Sequence, residues 1–226
     1  MNVVEEGLAD TVAAALAVMA EVGKPAIKLA VLVSGRGSNL QAIINNIEKG
    51  KLNAEIVLVL SDNPNAYALK IAKDHFIATE VLTYQKSDGR SKYGIALAEK
   101  VAASGADLIV LAGFMRILPS SFLEMFPKKV INIHPALLPS FPGLHAQEQA
   151  FVYGVKVSGC TVHFVDSGVD TGPIIAQRAV DISGCKDADE VGDAILVEEH
   201  KLYSEVLSYF AAGWVKLENG RVIIEK

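Results

Sequence analysis

Leu29-Ala30-Val31-Leu32-Val33-Ser34-Gly35-Arg36-Gly37-Ser38-Asn39-Leu40 is the stretch that decides the fold. Residues 29–33 are uniformly apolar and give way, across a glycine-bearing turn, to a helical period over residues 40–47. A strand without polar alternation is one buried on both faces, the condition of a parallel sheet covered by helices. The turn places the backbone N–H groups of Ser38 and Asn39 at a helix N-terminus, where they can face an anion, and its glycines permit the tight bend. A phosphate suits that geometry, but so does a plain helix start with Ser38 as its cap, and the local residues serve both readings. The segment is not the dinucleotide fingerprint, because Leu40 stands where the third glycine would be and no P-loop lysine follows.

Outward from this stretch the same alternation repeats. Residues 56–60, 108–111 and 130–133 read as buried strands, and residues 66–73 and 92–103 as helices. Residues 157–165 and 173–180 are strands joined too briefly for a crossover helix, so they pair antiparallel. Residues 188–210 have the length and period of a long helix, and residues 214–217 and 222–224 flank Asn219-Gly220, a hairpin signal. The expected fold is therefore α/β: a Rossmann-like, wound, mainly parallel sheet flanked by helices, with an antiparallel C-terminal part. Residues 28–226 show no repeat, low-complexity tract or linker and read as one domain. Residues 1–27 read as an N-terminal extension, helical by its alanine content. That segment carries acidic residues before its apolar run and its first positive charge only at Lys24, the reverse of a targeting signal, and it is too short to span a bilayer.

Composition narrows the partners. The chain has 226 residues, a net charge of −5 and 51% hydrophobic residues, so a conventional core is affordable and a polyanion such as tRNA is disfavoured. Small-molecule substrates, with no nucleic acid and no membrane, are expected. Cys160 and Cys185 form neither a CxxC pair nor a disulfide framework, which fits a reducing cytoplasm, and Cys160 reads as a buried strand residue. None of the five histidines sits in a zinc-like ligand cluster, so no metal is expected. His75, His163 and His200 read as structural or peripheral, and His145 as a supporting candidate.

In wound sheets ligands bind beyond the carboxyl ends of the strands, and the polar, glycine-rich segments fall there. Asn132-Ile133-His134-Pro135 ends a strand, so Asn132 and His134 project from one side while Ile131 and Ile133 face the core. An amide donor and an imidazole suit attack on a carbonyl, although polar pairs at strand ends also simply cap backbone. Residues 113–118, Gly-Phe-Met-Arg-Ile-Leu, either line a slot for a flat ring or pack in the core. The loop Asp166-Ser-Gly-Val-Asp-Thr-Gly-Pro173 brings a carboxylate that could orient His134, though aspartates in such turns usually bond their own backbone.

Together, residues 34–43 (Ser-Gly-Arg-Gly-Ser-Asn-Leu-Gln-Ala-Ile), 111–118 (Leu-Ala-Gly-Phe-Met-Arg-Ile-Leu), 132–139 (Asn-Ile-His-Pro-Ala-Leu-Leu-Pro), 142–145 (Pro-Gly-Leu-His) and 168–174 (Gly-Val-Asp-Thr-Gly-Pro-Ile) resemble the phosphoribosylglycinamide formyltransferase family, over residues 28–210. The resemblance implies transfer of a formyl group from 10-formyltetrahydrofolate, acting as cosubstrate, to the primary amine of glycinamide ribonucleotide in purine synthesis. It implies catalytic roles for Asn132, His134 and Asp170, with Asp170 rather than Asp166 working on the imidazole. Ribonucleotide contacts are implied at Gly37, Ser38, Asn39, Gly113, Pro135 and Glu199, and folate contacts at Met115, Arg116, Ile117, Leu118, Val165 and Asp166. The extension leaves monomer and homodimer equally open. Rival readings are a formyltetrahydrofolate deformylase, disfavoured because residues 1–27 are too few for its regulatory domain, and a non-catalytic nucleotide-binding module, disfavoured by the retained Asn, His and Asp.

Overall fold

The computed structural model describes residues 25–226. Of the extension read as helical over residues 1–27, residues 1–24 lie outside the described residues, and Ile27 already belongs to the first strand rather than to the extension. The chain runs β1 (Ile27–Val33), α1 (Ser38–Glu48), β2 (Ala54–Ser61), α2 (Tyr67–Asp74), β3 (Thr79–Val81), α3 (Gly89–Ala103), β4 (Leu108–Leu111), α4 (Ser120–Leu123), β5 (Val130–His134), α5 (Ala146–Tyr153), β6 (Val157–Phe164), β7 (Ile174–Asp181), α6 (Ala188–Ala212), β8 (Val215–Glu218) and β9 (Arg221–Ile224).

Seven strands form one sheet in the order β3-β2-β1-β4-β5-β6-β7. From β3 to β5 the pairing is parallel, whereas β6 runs antiparallel to both β5 and β7. β8 and β9 make a separate antiparallel hairpin. The mainly parallel sheet with an antiparallel end matches the reading from sequence, and the reason is visible in β1 and β4. Leu29, Val31, Val33, Leu108 and Val110 enter the core on one face, and Ala30, Leu32, Ile109 and Leu111 enter the core on the other. With helices on both faces no position is left for a polar residue, which is why the runs read as continuously apolar. Cys160 is fully buried in β6.

Three elements were not expected. β3 is a three-residue edge strand carrying Thr79 and Glu80, too short for a period-two pattern. α4 and α5 are of four and eight residues, and α5 starts directly from the Pro-Gly loop. The reading of Ser38 as a helix cap is overturned: Gly37 occupies the cap position at φ 81° with no side-chain cap, and Ser38 is the first helical residue. A side chain is excluded at Gly37 twice over, because the left-handed conformation favours glycine and an added Cβ would lie 2.7 Å from the Ala68 Cβ.

α6 packs against β6 and β7, and its buried Tyr203 hydroxyl reaches the Leu111 and Ile131 carbonyls of β4 and β5, donating at 2.9 and 3.3 Å. Glu199 lies four residues earlier and so on the same helix face, which carries it toward α1.

Candidate active site

The carboxyl end of β5 turns Asn132 and His134 away from the core that holds Ile131 and Ile133. β6 lies beside it in antiparallel register, which sets His163 opposite Asn132 and Thr161 opposite His134. Thr161 then fixes the chain leaving β5, donating to the Ala136 carbonyl at 2.7 Å and accepting from the Leu138 amide at 3.0 Å. The loop between β6 and β7 folds back over the strand ends because Gly172 lets the backbone approach Phe164; a Cβ there would meet the Phe164 carbonyl oxygen at 1.9 Å. That fold-back delivers Asp170, held at φ 55°, a left-handed conformation that aspartate tolerates better than most residues.

The four polar side chains form one cluster. Asp170 Oδ2 accepts from the Gly143 amide at 2.8 Å and lies 3.3 Å from His134 Nδ1, while Oδ1 lies 3.6 Å from His163 Nε2. His134 Nε2 is 2.8 Å from the Phe141 carbonyl and His163 Nδ1 is 2.8 Å from the Phe164 carbonyl, contacts that place a proton on each of those nitrogens. His163 Nε2 therefore keeps its lone pair and accepts from Asn132 Nδ2 at 3.2 Å. One N–H of the Asn132 amide is spent on that contact, and the other remains for an incoming oxygen.

Burial is the largest influence on His134 and holds it below the ordinary imidazole value of 6.5, against the opposing pull of the Asp170 carboxylate and the Phe141 carbonyl. Burial alone would raise Asp170, but the neighbouring His163 ring, the hydrogen bond from the Gly143 N–H and the neighbouring His134 ring outweigh it, so the carboxyl is lowered. The pair is thus a neutral imidazole beside a carboxylate, with the proton-accepting Nδ1 facing the group that would stabilise its cation.

A cavity of about 380 Å³ opens in front of this cluster. Met115, Arg116, Ile117, Leu118, Val165 and Asp166 line it together with Gly113, Asn132, His134, Pro135, His163 and Asp170. The question of core or slot for residues 113–118 resolves residue by residue: Phe114 and Leu118 are 9% and 4% exposed and pack in the core, whereas Met115 and Ile117 are 63% and 54% exposed at the cavity. Asp166 Oδ1 accepts from the Gly168 amide at 3.0 Å and the Thr171 hydroxyl at 2.8 Å, the bonding of a turn residue. Gly37, Ser38, Asn39 and Glu199 do not line the cavity. They meet at the α1 N-terminus, where Asn39 Nδ2 donates to Glu199 Oε2 at 3.1 Å. Burial lifts Glu199 to about 7, with the Asn39 N–H pulling the other way. The Asn39 Oδ1 is buried and has no protein partner among the described residues.

His163 is the residue that reading the sequence missed; it is 2% exposed and central rather than peripheral. Its available signal was its place in the strand read at residues 157–165; pairing of that strand with β5 sets His163 opposite Asn132. His145 lines the cavity but is largely exposed, 3.8 Å from Glu148. Among the described residues no group of three or more His, Cys, Asp or Glu is arranged to hold a metal, and no helix is long and apolar enough to cross a membrane.

A wound sheet with a clustered Asn, His and Asp beside a cavity defines a class, and the chain matches the formyl transferase family over residues 27–207. It belongs to that family. It is 38% identical over 191 residues to the phosphoribosylglycinamide formyltransferase of Escherichia coli, covering 84% of this chain and 90% of that one. The crystal structure of glycinamide ribonucleotide transformylase 1 from Symbiobacterium toebii superposes with a TM-score of 0.86 at 43% identity, over 89% of this chain and 95% of that one. The trifunctional purine biosynthetic protein adenosine-3 of Drosophila melanogaster is 43% identical over 188 residues, which are 82% of this chain but only 14% of that protein's length.

Proposed function

We propose that residues 28–226 form one catalytic domain that transfers the formyl group of 10-formyltetrahydrofolate to the primary amine of glycinamide ribonucleotide, giving formylglycinamide ribonucleotide and tetrahydrofolate. The observation that carries this reading is the Asn132–His163–Asp170–His134 cluster at the wall of an apolar-lined cavity, with the Gly37 turn opening α1. The folate supplies an activated formyl carbon, and its flat ring suits the slot beside Met115 and Ile117. The ribonucleotide phosphate suits the backbone N–H groups that follow Gly37, and the orphaned Asn39 Oδ1 beside Glu199 suits a sugar hydroxyl.

The amine nitrogen bonds to the formyl carbon, the carbonyl oxygen gains negative charge, and the bond from that carbon to the folate nitrogen then breaks. Asn132 donates its unspent N–H to the oxyanion, a contribution whose loss typically costs about 10²- to 10³-fold. His134, neutral and deeply buried, accepts the proton the ammonium must lose, and Asp170 stabilises the imidazolium until the proton passes to the departing folate nitrogen.

The test is release of tetrahydrofolate by the full chain with and without glycinamide ribonucleotide. Rapid release only when the amine is present is expected. Equal release in its absence, with free formate, would make water the acceptor and overturn the transferase reading.

A further inference from the structure

Asp62 follows β2 and is only 8% exposed, yet it belongs to neither the catalytic cluster nor the lining of the 380 Å³ cavity. A carboxylate is withdrawn from water this far only when its oxygens are answered by donors or charge. Here both are answered, by groups from two other segments. Oδ1 accepts from the Ser34 hydroxyl at 2.6 Å, and Oδ2 lies 2.7 Å from Arg116 Nε, a close charge pair whose N–H is not aligned for a hydrogen bond.

The Ser34 contact does more than satisfy the acid. Because the hydroxyl gives its only proton to Asp62, its lone pairs are turned elsewhere, and one accepts the Met115 amide at 2.9 Å. Ser34 is engaged through its backbone as well, donating to the Gly113 carbonyl at 3.0 Å and accepting from Asn63 Nδ2 at 3.2 Å. Asp62 thus holds two successive residues of the cavity loop, Met115 through its backbone and Arg116 through its guanidinium. It does so by way of the serine that opens the phosphate-side turn. The guanidinium is further seated 5.0 Å from the Tyr84 ring centroid.

We propose that Asp62 is a positioning residue that fixes the shape of the folate-side loop by pinning Met115 and Arg116 to the end of β1. This rests on the formyl-transfer reading above. Asp62 touches no reacting atom in that scheme. Its part is to hold the Met115 backbone and the Arg116 guanidinium in place at the cavity, so its loss falls on folate affinity and leaves the formyl-transfer step and the ribonucleotide turn in place.

Asp62→Asn is the informative variant, since it keeps the size of the side chain and an acceptor for Ser34 but cannot offset the Arg116 charge. With the full chain, a raised KM for 10-formyltetrahydrofolate is expected, about tenfold, with kcat within about threefold and the ribonucleotide KM unchanged. Calorimetric titration with 5-formyltetrahydrofolate, which binds without turnover, should show the same loss. Combining Asp62→Asn with Arg116→Met should cost no more than the larger single change, because the two remove one interaction. An unchanged folate KM, additive losses, or equal rises in both KM values with a lowered Tm would each overturn the proposal. A wild-type chain that binds 5-formyltetrahydrofolate but forms no product would instead overturn the formyl-transfer reading, leaving the calorimetric comparison to decide this one.

Discussion

On one side of the cavity Asn132, His134, His163 and Asp170 are withdrawn from solvent, and each is held by another part of the chain. On the other, Met115 and Ile117 stand 63% and 54% exposed with apolar side chains that nothing covers. The polar wall has its hydrogen bonds in place before any substrate arrives, as groups must that meet charge only at the transition state. The apolar wall has its surface still to bury, and its favourable energy is released when a ligand covers it. Rate should therefore be sensitive to the first wall and affinity to the second.

The largest effect expected is at Asp170. Asp170→Asn should slow single-turnover formyl transfer by at least about 10²-fold, the scale of a lost acid–base contribution, with little change in the binding of either substrate. Asp166→Asn should leave the rate near wild type, since Asp166 bonds only its own turn through the Gly168 amide and Thr171 hydroxyl. The reverse outcome for the two variants would exchange their roles. The pH profile sharpens the point: transfer by a neutral His134 falls as pH drops through a pKa below 6.5, and because Asp170 raises that value its removal should move the acid limb lower still. A limb that stays in place would mean the carboxylate does not act on the imidazole.

Glu199 offers the next effect, in stability rather than rate. Its folded-state value of about 7 is above the ordinary 4.5, so the folded chain holds a proton the unfolded chain releases. That stabilisation is complete below pH 4.5 and is lost as pH rises through about 7. Across this window wild type should lose stability relative to Glu199→Gln by on the order of 3 kcal/mol at most, read from urea midpoints at a series of pH values. A constant difference between the two would place the carboxyl in a wetter site than its burial indicates.

Sequence and structure agree where the cause is local. The buried runs of β1 and β4, the turn at Gly37 and the Asn132-Ile133-His134 alternation were legible because each follows from neighbouring residues and from strand geometry. The edge strand β3 was not, because three residues carry no period, and α5 was hidden by the Pro-Gly loop that precedes it. His163 was missed because its role depends on register with β5, 31 residues away, and the link from Asp62 to Ser34 spans 28 residues. Asp166 and Asp170 could be ranked but not placed, since only the approach of Gly172 to Phe164 turns Asp170 toward His134. What escaped is the part of the site made by long-range packing.

The smallest effect expected is at the apolar wall. Ile117→Ala removes a half-exposed side chain, so the free protein should change stability by no more than about 0.5 kcal/mol. Folate bound in the slot would cover that side chain, and losing part of its apolar contact should raise the folate KM by roughly threefold to tenfold, with kcat and the ribonucleotide KM unmoved. Leu118, the next residue, is 4% exposed and belongs to the core, so the same truncation there should lower Tm. Adjacent positions would then report separately on binding and on folding. If Ile117→Ala instead lowers kcat while leaving the folate KM unchanged, the exposed face of the loop acts on the reacting groups, and the division of labour between the two walls fails.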